Sequence, residues 1–127
     1  MIRDDIVREE NDREQLPLLD WPGLQETCLY KENLIDKLLT LYLQQLPTWI
    51  GDIQTAVAKQ DAESLRRICH TVKGATAALH ASASVQSLDR LHCLAREGDL
   101  THVAPPMNEV ITVLEKTGGV IRRILDS

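Results

Sequence analysis

The stretch Cys69–Ala81 places a histidine, a lysine and a glycine close together in a helix-like sequence. Lys73 lies one helical turn after His70, and Gly74 follows it directly. A histidine with its ordinary pKa of about 6.5 is mostly neutral in a cell, and a neutral imidazole can act as a nucleophile in phosphoryl transfer. A cation one turn away would offset the negative charge of the phosphorylated product. The chemistry that these residue types and this spacing favour is phosphoryl acceptance.

A helical projection separates His70 from the apolar residues around it. At about 100° per residue, the opposite side of the helix carries Leu65, Ile68, Val72, Ala75, Thr76 and Leu79. The histidine's own side carries Glu63, Arg66, Arg67, Lys73, Gly74 and Ala77. His70 is therefore predicted to face solvent. A glycine inside a helix costs about 1 kcal/mol relative to alanine, which favours close approach of an external partner at Gly74.

Apolar residues recur at helical spacing along most of the chain, and no strand-like alternation competes with them. The pattern predicts helices over about 22–28, 33–59, 62–79, 82–97 and 104–125. Asp20 and Asp61 are predicted N-caps, and Gly98 a left-handed helix stop. Because the apolar stripe keeps its phase across Pro47, we expect a kinked helix there rather than a break. The prediction is an all-α, antiparallel four-helix bundle with a short extra N-terminal helix over residues 19–127, preceded by a flexible tail or linker remnant over residues 1–18.

Composition excludes several classes of protein. The 127 residues suffice for one domain, and the 43% apolar fraction is too high for a disordered chain. A net charge of -5 without a basic run argues against nucleic acid as a partner, and no apolar run reaches membrane-spanning length. Three cysteines without metal or redox spacing favour a reducing compartment, and we expect a cytoplasmic monomer. Neither a glycine-rich nucleotide loop nor Glu-x-x-His metal motifs are present.

The string His70-Thr71-Val72-Lys73-Gly74-Ala75 resembles the signature of histidine-containing phosphotransfer (Hpt) domains, and the likeness extends from about residue 20 to 125. The resemblance implies a phosphorelay carrier in two-component signalling that accepts a phosphoryl group from an aspartyl phosphate on a receiver domain and passes it to another receiver. It implies phosphorylation of His70 at Nε2, with Nδ1 turned toward a local acceptor. It also implies no ATP site of its own, although the parent chain would be a histidine kinase if this is the C-terminal module of a hybrid sensor kinase.

The remaining site residues follow from the same resemblance. Lys73 would stabilise the phosphoryl group, and the partner would dock over Gly74, Ala77, Ala78, Arg66 and Arg67. The partners would be receiver domains of a hybrid kinase and of a response regulator. No metal or other cofactor is expected on this chain, because the divalent metal would belong to the receiver.

Two positions depart from the family pattern. His80 stands where the family often has a glycine, and a non-glycine residue enters such a tight turn with some strain. His92 follows Leu91, where the family often has a glutamate or glutamine. We expect both histidines to lie away from the phosphorylation face. The alternative function is a non-phosphorylated helical adaptor, a degenerate Hpt-like bundle that only binds a partner protein.

Overall fold

Helices make up most of residues 2–127, which are the residues that this computed structural model describes. They are α1 (Ile2–Asn11), α2 (Trp21–Thr27), α3 (Glu32–Ala58), α4 (Ala62–Ala78), α5 (Ser82–Glu97) and α6 (Ala104–Asp126), and these residues include no strand. The four longest, α3 to α6, pack in a ring in which each contacts two neighbours. The predicted all-α bundle is confirmed. Among residues 2–127, none of the helices combines the length and apolar character that a membrane crossing requires.

The helix ends follow the predicted capping residues. The Asp20 carboxylate accepts a hydrogen bond from the backbone N–H of Gly23 at 3.1 Å, and Asp61 accepts one from Ser64 at 3.0 Å. Each bond satisfies a backbone donor that the first helical turn leaves free. Gly98 ends α5 in the left-handed region, with φ of +81°. Asp61 therefore fixes the start of α4 after the connection from α3, and Gly98 fixes the end of α5 before the connection to α6.

The core is aliphatic, and two buried hydroxyl pairs cross it. Leucine and isoleucine side chains from every long helix are fully buried, and α3 continues unbroken through Pro47. Tyr42 on α3 shares a hydrogen bond of 2.8 Å with Thr76 on α4, and burial raises the pKa of Tyr42 to about 12. Ser84 on α5 and Thr117 on α6 form a second such bond at 2.9 Å. Because buried hydroxyls need partners, the first bond favours one rotation of α4 against α3, and the second favours one rotation of α5 against α6.

The N-terminal segment differs from the prediction. A flexible tail over residues 1–18 was expected, but residues 2–11 form α1, which contacts α6 and buries Ile6 and Val7. The Arg123 guanidinium of α6 pairs with Glu10 at 2.5 Å, and Lys116 pairs with Glu14 at 2.8 Å. The expectation of a tail was wrong for these residues, because the cations that pair with Glu10 and Glu14 lie about a hundred positions away in sequence. Met1 lies outside the described residues.

Candidate functional site

His70 lies on the outward side of α4, as the helical projection predicts. Its side chain is exposed, whereas Leu65, Cys69 and Val72 on the inward side are fully buried. Burial also raises the pKa of the Cys69 thiol to about 12, which fits a packing group rather than a reactive thiol. No group within residues 2–127 hydrogen-bonds the His70 imidazole, so the acceptor expected for Nδ1 is not found. Both ring nitrogens are free for other partners.

Lys73 is half-buried and held by a residue that the sequence analysis did not select. Its Nζ lies 2.9 Å from Oδ1 of Asp89 on α5. This hydrogen bond lowers the pKa of the Asp89 carboxyl, which is therefore ionised at neutral pH. Asp89 directs the ammonium group across the α4–α5 groove, one helical turn from His70. The cation is already shared with one anion before any phosphoryl group arrives.

The surface beside His70 is open. Gly74, Ala77 and Ala78 are exposed, and a Cβ built on Gly74 would meet no atom within 4 Å. The bundle itself therefore does not require a glycine at this position. What the missing side chain provides is room for a body outside the bundle to approach the α4 backbone.

The two arginines that precede His70 have partners on their own helix. Arg66 donates two hydrogen bonds to the Glu63 carboxylate, at 2.6 and 3.1 Å. Arg67 donates to Oγ of Ser64 at 3.3 Å. Neither side chain hydrogen-bonds the His70 imidazole. Both positive charges lie on the His70 side of α4, where a docking partner can reach them.

His92 lies beside the candidate nucleophile, so the expectation that it would lie elsewhere was wrong. Its ring centroid is 6.1 Å from that of His70, with 36° between the ring planes. The side chain is half-buried, and its Nε2 is buried without a hydrogen-bond partner among the described residues. Burial is the main cause of a lowered pKa for His92, and the charges of Lys73 and Arg96 lower it further.

The helical hairpin explains why His92 and Asp89 join the site. His70 and His92 are equidistant in sequence from Ala81, and so are Lys73 and Asp89. Ala81 is the residue before α5, and the antiparallel pair folds back at this point. Pairing residues across the predicted turn was the sequence signal that could have found both.

The other histidines are placed by the turns. His80 has φ of +57°, the left-handed conformation expected where the family has glycine. Its Nε2 lies 2.8 Å from Oγ1 of Thr27, and its carbonyl accepts from the Asp20 N–H at 2.8 Å, so it secures the turn to α2. His102 is exposed in the connection before α6. Within residues 2–127, no three His, Cys, Asp or Glu side chains are grouped to share a metal ion.

Comparison with known families decides what the bundle is. The family model of the Hpt domain matches residues 37–119, which include His70, Lys73 and both helices of the hairpin. The chain belongs to the Hpt domain family. Hpt domains are phosphocarriers rather than kinases, and this one functions as a phosphorelay carrier in two-component signalling.

A solved structure supports the fold of this Hpt domain. The crystal structure of the HPT domain of the Hpt sensor hybrid histidine kinase from Shewanella matches with a TM-score of 0.77 at 20% identity. The match covers 86% of this chain and 94% of the Shewanella chain. At this identity the likeness is one of fold. No curated protein matches the chain significantly.

Proposed function

We propose that His70 is the phosphoryl acceptor of this Hpt domain. The observation that carries the proposal is its placement: an exposed imidazole without a hydrogen bond, on the outward side of a packed helix, one turn from a lysine. In the transfer step the Nε2 lone pair attacks phosphorus, an N–P bond forms, and the P–O bond to the receiver's aspartate breaks to release its carboxylate. The same step in reverse passes the group to a second receiver.

Lys73 stabilises the phosphorylated imidazole. The phosphoryl group brings up to about two negative charges next to a cation that is held at the groove by one carboxylate. The ammonium group can turn from Asp89 toward the phosphoryl oxygens because its flexible stem needs only rotamer changes. We propose that the divalent metal of the reaction belongs to the receiver and that transfer to and from this domain uses no ATP site of its own.

The receiver docks over Gly74, Ala77 and Ala78, with Arg66 and Arg67 at one edge of the contact. We infer that Leu41 of α3, which is 49% exposed, extends this surface. The Tyr42 hydroxyl shares a hydrogen bond with Thr76 and so links α3 to α4 at one level of the bundle. Leu41 is next to Tyr42 and Ala77 is next to Thr76, so Leu41 and Ala77 lie near that level. We infer a transient contact by a monomeric carrier with receivers of a hybrid kinase and of a response regulator.

Incubation with a phosphorylated receiver domain tests this function. The wild-type chain is expected to take up phosphate that is labile in acid and stable in base, as a phosphoramidate is. His70→Gln is expected to take up none, whereas His102→Gln, which changes an exposed histidine in the connection between α5 and α6, is expected to match wild type. Uptake that survives His70→Gln would overturn the assignment. Receiver binding without uptake by wild type would favour the alternative adaptor.

A further inference from the structure

The pair of imidazoles in the α4–α5 groove carries an inference beyond phosphorylation of His70. His92 lies 6.1 Å from His70 between ring centroids, and its buried Nε2 has no partner within residues 2–127. We propose that His92 takes up a proton when His70 is phosphorylated and stabilises the phosphoryl group, so that the phosphotransfer equilibrium depends on pH. This proposal rests on the proposed function of His70.

The resting state keeps His92 neutral. From α4 it faces His70 and Lys73, and on its own helix Asp89 and Arg96 act on it. Burial, the two cations and His70 outweigh the attraction of Asp89, and they lower its pKa below the ordinary value. Toward α6, Arg90 of α5 pairs with Glu109 of α6 at 3.9 Å, and neither charge is among those that shift the pKa of His92. A neutral imidazole has one donor and one acceptor nitrogen, which leaves His92 without a charge to offer until it is protonated.

Phosphorylation reverses the sign of the charge beside His92. The new N–P bond forms on the ring that faces it, and the phosphoryl group adds up to about two negative charges. A negative charge at this range favours the imidazolium form and raises the pKa of His92. The proton comes from solvent and does not take part in breaking the P–O bond. By linkage, a phosphoryl group that promotes proton binding is itself stabilised by the proton.

The sign of the pH effect follows from these two states. Because phosphorylated protein binds the proton more tightly, lowering the pH through the pKa of the phosphorylated state favours transfer onto this domain. The gain is complete below the lower pKa of the unphosphorylated state. Other pH-dependent groups, including those of the receiver, are common to wild type and to a His92 variant. They cancel in the ratio of the two equilibrium constants.

The test measures the equilibrium of phosphoryl transfer from a receiver to the wild-type chain, His92→Gln and the control His102→Gln. The ratio of the wild-type constant to the His92→Gln constant is expected to rise severalfold from about pH 8 to about pH 6, and to approach about tenfold below the pKa of unphosphorylated His92. The ratio for His102→Gln is expected to stay flat. Parallel wild-type and His92→Gln profiles would overturn the role of His92 while leaving His70 as acceptor. A wild-type chain that takes up no phosphate would overturn both proposals.

An NMR titration keeps the proposal testable if His92→Gln does not fold. In the wild-type chain, the His92 ring signals are followed against pH with and without phosphate on His70. The pKa of His92 is expected to rise on phosphorylation by roughly one unit, which corresponds to the same tenfold effect. An unchanged or lowered pKa would contradict the inference.

Discussion

Two polar contacts between helices look alike in their ion pairs and differ in what surrounds them. The contact of α6 with α1 and the residues just after it joins Lys116 to Glu14 at 2.8 Å, and the α4–α5 contact joins Lys73 to Asp89 at 2.9 Å. In the first, a second cation, Arg123, also has carboxylate partners. In the second, the ion pair lies beside two imidazoles whose rings make no hydrogen bond to the described residues. An ion pair therefore does not mark a functional site unless reactive groups beside it are left unpartnered.

The two contacts also differ in what they contribute to stability. Exposed ion pairs contribute between about 0 and 1 kcal/mol, so the charges of α1 do not by themselves hold it on the bundle. Burial of Ile6 and Val7 supplies the larger part. The α4–α5 groove, by contrast, lies between helices that buried core residues already hold in place. The charges of Lys73 and Asp89 are therefore not needed for stability and are available to interact with a phosphoryl group.

Replacing the lysine of each contact should show most clearly which ion pair takes part in phosphoryl transfer. Lys73→Ala removes the cation and leaves Asp89 unneutralised beside the phosphoryl group, so we expect transfer from a receiver to slow by roughly tenfold to a hundredfold. Lys116→Ala is the matched control and is expected to transfer at the wild-type rate. Single-turnover transfer kinetics measure both. Equal rates for the two variants would remove the distinction between the contacts.

Truncating Ile6, a buried apolar residue of α1, tests whether apolar burial holds α1 on the bundle. Ile6→Ala deletes a buried side chain, and we expect it to lower the free energy of unfolding by about 2 kcal/mol while phosphotransfer at a temperature where the variant is folded stays unchanged. Denaturant unfolding gives the first quantity. Ile2→Ala, at a residue 67% exposed on the same helix, is the control with little expected change. Unchanged stability of Ile6→Ala would show that α1 does not pack on the bundle in solution.

Removing the anion of the α4–α5 pair should have a smaller effect of opposite sign. Asp89→Asn frees Lys73 and removes a negative charge near the phosphoryl group, so the equilibrium should shift toward the phosphorylated Hpt domain by about threefold to fivefold. Glu97→Gln, at the exposed end of α5, controls for net charge and should shift it little. If Asp89→Asn lowers the phosphorylated fraction, Asp89 is needed to position Lys73 rather than restraining it.

Much of the fold was predictable because its signals are local. Apolar stripes, the Asp20 and Asp61 caps and the Gly98 stop each depend on neighbouring residues, and the helices lie within a few residues of their predicted limits. The outward direction of His70 followed from the same periodicity. The left-handed conformation of His80 was also predictable, because the Hpt family often has a glycine at this position.

The errors arose where contacts are distant in sequence. Helix α1 has only a few apolar residues, and the cation that pairs with Glu9 and Glu10, Arg123, lies on the last helix. His92 and Asp89 depend on the rotation of α5 against α4, which the periodicity of either helix alone does not specify. The roles of His70, Lys73, Gly74 and the docking residues stay predictions, because they concern a reaction with a second protein.

Locating the phosphoryl group within the phosphorylated chain tests the central claim most directly. Heteronuclear NMR of protein loaded from a phosphorylated receiver, with the phosphorus coupling traced to a ring nitrogen, assigns both the residue and the atom. The account predicts a single N–P bond at Nε2 of His70, with the rings of His80, His92 and His102 unmodified. A phosphoryl group on any of those three, or on Nδ1 of His70, would contradict it.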